Sequence, residues 1–220
     1  MTDTNILIDQ LAARAAPVKR LASPWQRTLL WVALAAAIII VIIASHGARP
    51  GWLGDLTVAS SAIEWFASVA TGLLAAYAVF QVSVPGRSPA WAWLPLPAAL
   101  LWLGGLGLGC LQDVARIGAA AFAFQGESWE CARAITFTSL PLGLVLLMMV
   151  RHAGVVRPGR TAMLTALSAA ALSAAGVSVI HEGENALMVL LWHAGAVVAL
   201  AGLSWALGRR LFSWIGYAKH

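Results

Sequence analysis

Long apolar stretches separated by short polar segments dominate this sequence. Six of the stretches are close to the roughly 20 residues that an α-helix needs to cross a bilayer. They cover residues 27–45, 62–84, 91–111, 133–150, 161–180 and 186–207. Proline and glycine between them, at Pro85-Gly86 and at 157–160, predict tight turns. The pattern therefore predicts an all-α, polytopic membrane protein built as a bundle of six transmembrane helices.

Composition supports this class of protein. Hydrophobic residues make up 60% of the 220 residues and charged residues only 10%, whereas a soluble domain has about 25% charged residues. An ordinary soluble domain and a disordered chain are both excluded. The net charge of +5 fits lysine and arginine in cytoplasmic loops, so we expect no direct contact with nucleic acid.

The distribution of basic residues predicts the orientation. If the N-terminus is cytoplasmic, the outer segments contain only Arg49, Arg116 and Arg133, and the other eleven of the 14 lysines and arginines lie inside. Such a bias places both termini in the cytoplasm. The predicted organisation is a cytoplasmic tail at 1–26, a membrane domain at 27–208 and a second cytoplasmic tail at 209–220.

Catalytic signatures do not emerge from the sequence. A G-x-S-x-G motif and a phosphate-binding loop are both missing. His181-Glu182 resembles the start of a zinc-protease motif, but Asn185 stands where the second histidine would be. Glu64 lies at the outer end of the second stretch, and His193 is deep in the sixth, where we expect it to pack. We predict a protein that is not an enzyme and has no cofactor.

Two cysteines are the most informative polar feature. Cys110 ends the third predicted helix and Cys131 precedes the fourth, so both lie at the outer face, which in a bacterium is the oxidising periplasm. Adjacent ends of an antiparallel helix pair can reach the roughly 4–7 Å Cα separation of a disulfide. A static disulfide, two unpaired small hydrophobic residues and a redox or soft-metal sensor remain open. His181 and Glu182 lie at the same level and could join Cys131 around a metal ion that acts as a signal.

The N-terminal tail contains a short amphipathic segment that Pro17 ends. Leu7, Ile8 and Leu11 share one helical face. A helix this short is not stable alone, so we expect it to dock on a protein groove, on the inner leaflet or on the bundle itself. Arg20 and Arg27 flank the membrane and would favour anionic lipid or an acidic partner.

Several short motifs then follow one another in a characteristic order. They are Leu7-Ile8-Asp9-x-Leu11-Ala12, Pro17-Val18-x-Arg20-Leu21, Ser83-Val84-Pro85-Gly86-Arg87, Leu94-Pro95-Leu96-Pro97, Gly107-Leu108-Gly109-Cys110-Leu111-Gln112-Asp113, Trp129-Glu130-Cys131 and Leu190-Leu191-Trp192-His193. Together they resemble the NrsF-type negative regulators of sigma F, which are six-span inner-membrane anti-sigma factors of proteobacteria. The resemblance spans nearly the whole chain.

This resemblance implies a regulatory function. The cytoplasmic tail would sequester an extracytoplasmic-function sigma factor at the bacterial inner membrane. The tail residues that the resemblance carries over are Leu7, Ile8, Leu11, Pro17 and Arg20. Periplasmic Cys131, together with Cys110, would sense oxidative or heavy-metal stress and trigger release of the sigma factor.

One position departs from the family pattern. Family members often have a cysteine directly after the histidine of the last outer loop, where this chain has Glu182. If that cysteine pairs with Cys131 in the family, then Cys110 replaces it here, or a metal binds Cys131, His181 and Glu182, or sensing is impaired. The alternative function is a membrane redox or metal-handling protein without a sigma partner. The sequence leaves a homodimer open.

Overall fold

A computed structural model describes residues 2–14, 21–123, 129–180 and 186–215, and within these ranges all regular structure is helical. The α-helices are α1 (Thr2–Arg14), α2 (Pro24–His46), α3 (Trp52–Asp55), α4 (Ala59–Val82), α5 (Leu96–Ile117), α6 (Trp129–Val150), α7 (Pro158–Ile180), α8 (Ala186–Val189) and α9 (Gly195–Trp214). Short 3₁₀ turns occupy Pro89–Trp93 and Gly118–Phe122, and one turn of π-helix, Leu190–Ala194, joins α8 to α9. The predicted all-α fold is confirmed.

Six segments of the described chain are long and apolar enough to cross a membrane. Their cores are α2, α4, α5, α6, α7 and α9, and this confirms the prediction of a six-span membrane protein. The six run in alternating directions, so the bundle has two ends. We call the end where α2 begins the tail end, and the end where α2 finishes the far end.

Several boundaries differ from those predicted. The third spanning helix begins at Leu96, after a 3₁₀ turn, and continues to Ile117, so that Cys110 lies inside the helix rather than at its end. Pro158 and Gly159 form the first turn of α7, and the preceding turn uses Gly154 at φ +69°. Proline is favoured in a first helical turn because its missing N–H would have no partner there.

The small residues of α7 place this helix at the centre of the bundle. Residues 168–177 are all buried, and such a helix has neighbours on every side. Ser168 Oγ donates a hydrogen bond to the Gly72 carbonyl of α4 at 2.6 Å. A Cβ at Gly72 would lie 2.6 Å from Leu172 Cγ, so the glycine is required for this close approach.

Arg27 attaches the start of α2 to two other helices. Only 8% of the residue is exposed, its Nη2 donates to the Met149 carbonyl of α6 at 2.7 Å, and its guanidinium lies 4.5 Å from the centre of the Phe80 ring of α4. One turn later, the fully buried Trp31 directs its indole N–H at the Leu142 carbonyl at 3.5 Å. Arg27 is therefore not available to anionic lipid or an acidic partner as the sequence suggested, because tertiary packing buries it against α4 and α6.

Candidate functional site

A cavity of about 660 Å³ occupies the far end of the bundle. Its wall combines the loop after α2, the first turns of α4 and α6, the last turns of α5 and α7, and the segment 186–194. Charged, hydroxyl and indole side chains line it together with Cys131 and His193. A polar cavity in a largely uncharged bundle is the feature that most resembles a site.

Two ion pairs and one further carboxylate line this cavity. Arg49 pairs with Asp55, and Arg116 pairs with Asp113 at 2.8 Å. Glu64 also lines the cavity and interacts electrostatically with Arg49, but among the described residues it forms no hydrogen bond and no close ion pair. Two arginines against three carboxylates give the lining a formal charge of −1.

Arg49 also closes the loop after α2 over the end of α7. Its backbone N–H donates to the Val179 carbonyl at 2.9 Å, and its Nε donates to the Ser178 carbonyl at 3.0 Å. The last carbonyls of a helix have no partner within the helix, so this arginine satisfies two of them. The contact fixes the rim of the cavity.

Gly105 brings α5 against α4 at the cavity wall. A Cβ at this position would lie 2.8 Å from the backbone nitrogen of Glu64, so only glycine allows the two helices this close. Ser60 Oγ donates to Gln112 Oε1 at 2.7 Å and links the same two helices. Gly105 and Ser60 therefore hold α4 and α5 together beside the cavity.

Trp102, one turn before Gly105, was not singled out by sequence reasoning. The residue is only 3% exposed and lines the cavity, and its indole N–H has no acceptor among the described residues. His193 is equally buried, lines the same cavity and lies in the π turn. Turns of π-helix are frequent at functional sites, but no sequence signal separates one from the regular helix around it.

The structure places the two cysteines in different surroundings rather than side by side. Cys131 lies in the first turn of α6, is 2% exposed and lines the cavity, whereas Cys110 is partly buried in α5 and is not part of the lining. Both are thiols rather than a disulfide. The reason lies in the packing: α5 packs against α4 and the segment 186–194, and α6 packs against α7, α2 and the π turn of that segment.

The metal site suggested at Cys131, His181 and Glu182 stays a prediction. Among the described residues, no three histidine, cysteine or acidic side chains are arranged to hold a metal ion. His181 and Glu182, the suggested ligands beside Cys131, lie outside the described residues.

The tail forms the second candidate site. Helix α1 exists as predicted, and Leu7, Ile8 and Leu11 are 54%, 56% and 62% exposed. All described side chains of α1, from Thr4 to Ala13, are exposed. Pro17 and Arg20 lie outside the described residues. The structure thus presents an apolar helical face to its surroundings.

These features define a polytopic membrane protein with an exposed N-terminal helix at one end and a polar cavity at the other. The model of the family NrsF, negative regulator of sigma F, matches residues 11–214. The chain therefore belongs to this family, and the resemblance found in the sequence is confirmed. No curated protein and no solved structure matches the chain. Family membership supports a function as a negative regulator of sigma F, in a protein with six membrane-spanning helices.

Proposed function

We propose that this protein is an inner-membrane anti-sigma factor that sequesters an extracytoplasmic-function sigma factor with its cytoplasmic N-terminal tail. It releases the sigma factor when redox or heavy-metal stress acts on the far end of the bundle, in the periplasm. Family membership supports the sigma partner and favours this function over a redox or metal-handling protein without one. The exposed apolar face of α1 is the observation that carries the proposal.

The tail has the properties of a helix that binds in a groove. Its apolar side chains are more than half exposed, and an amphipathic helix of this length gains stability by placing such a face on a partner. Leu7, Ile8 and Leu11 would enter the sigma factor's groove, with Pro17 and Arg20 extending the contact. A sigma factor held in this way at the membrane is unavailable to RNA polymerase.

Cys131 is the proposed sensing residue. Its side chain is buried at the first turn of α6 and lines the far-end cavity, so small reagents reach it through that cavity. A soft metal ion displaces the thiol proton and binds the sulfur. Alternatively, two thiols lose two electrons and two protons to a peroxide and form a disulfide, which for Cys110 and Cys131 requires the helices to rearrange.

Helix α6 connects this sensing turn with the tail. It begins beside the cavity with Cys131 and ends at the tail end, where the Met149 carbonyl accepts the hydrogen bond from Arg27. Closely packed cores respond to a perturbation by moving between discrete arrangements rather than by deforming gradually. A displacement of α6 at Cys131 would thus alter the anchor of α2 and the presentation of α1.

The full-length protein in detergent, tested for capture of its sigma factor, provides the decisive experiment. The variant Leu7→Asp/Leu11→Asp places two charges on the apolar face. The matched control Asn5→Asp/Ala13→Asp places the same charges on the opposite side of the helix. We expect capture by the wild type and the control and loss of capture by the first variant.

Equal loss in both variants would mean that charge rather than the apolar face controls binding. Capture by neither the wild type nor the control would contradict the proposal, and the redox or metal-handling function would take its place.

A further inference from the structure

The far-end cavity has the composition of a small-molecule site that does not depend on the thiols. Its volume of about 660 Å³ lies within the usual range of ligand pockets, roughly 300–1,000 Å³. Its wall contains a buried donor, the Trp102 indole N–H, that lacks an acceptor within the described chain, and a partly buried acceptor, the Glu64 carboxylate, that accepts no hydrogen bond there. Such groups are costly unless something in the cavity satisfies them.

The acceptor is the Glu64 carboxylate. Both arginines of the described lining form ion pairs with other carboxylates, Asp55 and Asp113, and Arg49 also acts electrostatically on Glu64. Three carboxylates against two arginines still give the described lining a formal excess of one negative charge. A cationic ligand would neutralise that charge, and a charge-assisted hydrogen bond to a carboxylate is among the stronger polar contacts.

Aromatic rings on the same wall favour an organic cation. Trp52 and Trp65 line the cavity, with ring centres 6.4 Å apart and ring planes inclined at 42°. Trp65 donates its own indole N–H to the Ala175 carbonyl at 3.1 Å, which fixes the ring. The faces of tryptophan attract ammonium groups more than those of other aromatic residues.

The donor is the indole N–H of Trp102. The residue is 3% exposed, and this nitrogen lacks an acceptor among the described residues. It lies one helical turn from Gly105, whose Cα packs against the Glu64 backbone, so donor and carboxylate belong to neighbouring parts of one wall. A ligand that satisfies both groups carries a cationic nitrogen and an acceptor oxygen.

We propose that this cavity binds a small organic ammonium compound that also carries an oxygen acceptor. The ammonium group contacts Glu64 and the tryptophan faces, and the oxygen accepts from Trp102. Such a group exists in free amino alcohols and in the head group of phosphatidylethanolamine. The proposal goes beyond sigma-factor regulation and does not require it.

Isothermal titration calorimetry of the full-length protein in dodecyl maltoside, with ethanolamine as the probe, tests this proposal. Ethylene glycol serves as the neutral analogue of similar size. We expect saturable binding of ethanolamine only. Glu64→Gln should weaken binding about tenfold, since it removes the charge-assisted contact, and Trp102→Phe about fivefold, since it removes one hydrogen bond.

The matched control is Glu130→Gln. Glu130 is an exposed carboxylate of α6 that pairs with Arg133 and does not line the cavity, so its removal should leave the affinity unchanged. Absence of saturable binding by the wild type, equal binding of ethylene glycol, or equal affinity of the wild type and both cavity variants would overturn the proposal.

Nanodiscs distinguish the two sources of the ligand. If ethanolamine binds in phosphatidylglycerol nanodiscs but not in those containing phosphatidylethanolamine, the lipid head group occupies the site. Equal binding in both assigns the site to a free compound. Both results support an ammonium site, whereas no binding in either nanodisc would overturn it.

Discussion

The two ends of the bundle use arginine in opposite ways. At the far end, all three described arginines hold a carboxylate: Arg49 with Asp55, Arg116 with Asp113 and Arg133 with Glu130. At the tail end, no arginine of the described chain makes an ion pair. These tail-end residues are Arg27, Arg87, Arg151, Arg157, Arg160, Arg209 and Arg210.

This difference shows how the charges of one bundle serve two purposes. Basic residues near membrane spans favour the cytoplasmic side, and the described bundle has seven arginines at the tail end against three at the far end. At the far end, two of the three paired arginines, Arg49 and Arg116, line the cavity. The proposed function fits this division, because a cytoplasmic sigma factor and a periplasmic signal would act at opposite ends of the same protein.

The largest expected effect concerns the orientation itself. In a background with Cys110→Ser and Cys131→Ser, we place single cysteines at Leu53 of the far end or Val156 of the tail end, which are both exposed. Because the excess of arginines should hold the tail end in the cytoplasm, a membrane-impermeant maleimide added to intact cells should label Leu53→Cys only. Labelling of Val156→Cys without permeabilisation would reverse the proposed topology.

The next effect tests the anchor of α2. Arg27→Gln removes a buried guanidinium from the Met149 carbonyl and the Phe80 ring, and the loss of such a bond should lower the free energy of unfolding by about 2–3 kcal/mol. Arg160→Gln at the same end changes an exposed residue and should stay within about 0.5 kcal/mol. Denaturation in mixed micelles measures both, and equal stabilities would show that Arg27 anchors nothing.

Serine substitutions should distinguish the roles of the two cysteines in sensing. Because Cys131 lines the cavity and Cys110 does not, Cys131→Ser should reduce stress-induced release of the sigma factor about tenfold, within the usual range of coupling between sites. Cys110→Ser should retain most of the response. A sigma-dependent reporter under peroxide or cadmium stress provides the measurement. Equal loss in both variants would indicate that a disulfide between them is the signal.

The smallest effect compares two ion pairs of the far end. Arg49→Gln breaks an ion pair and one hydrogen bond to the end of α7, and we expect a loss of about 1 kcal/mol. Arg116→Gln breaks an exposed pair between neighbouring turns, for which about 0.3–0.5 kcal/mol is typical. Thermal unfolding of the two variants would rank them, and the reverse order would mean that the loop after α2 is not held by Arg49.

Much of the fold was predictable because bilayer thickness fixes the length of a spanning helix. The six apolar stretches, their alternation and the tail helix followed from that constraint and from the position of polar residues. Helix ends were less accurate: α5 continues past Cys110 to Ile117, since an apolar pattern alone does not specify where a helix stops.

The candidate site was only partly predictable. Cys131 and the exposed face of α1 could be identified as candidates from the sequence, whereas the cavity that gathers Cys131, Glu64, Trp102 and His193 could not. These residues come from four helices far apart in the chain. These four residues come together only because the helices that carry them pack side by side in the bundle.

The sequence by itself thus determined the class of protein, the number of spans, the charge asymmetry and the family. Only the tertiary structure decided that α7 is central, that Arg27 is buried, that α5 and α6 pack on different neighbours and that a polar cavity forms at the far end. The physical reason is that lipid chains are as apolar as leucine. Hydrophobicity therefore places a helix in the membrane, but close packing of small residues and a few buried polar contacts select its partners.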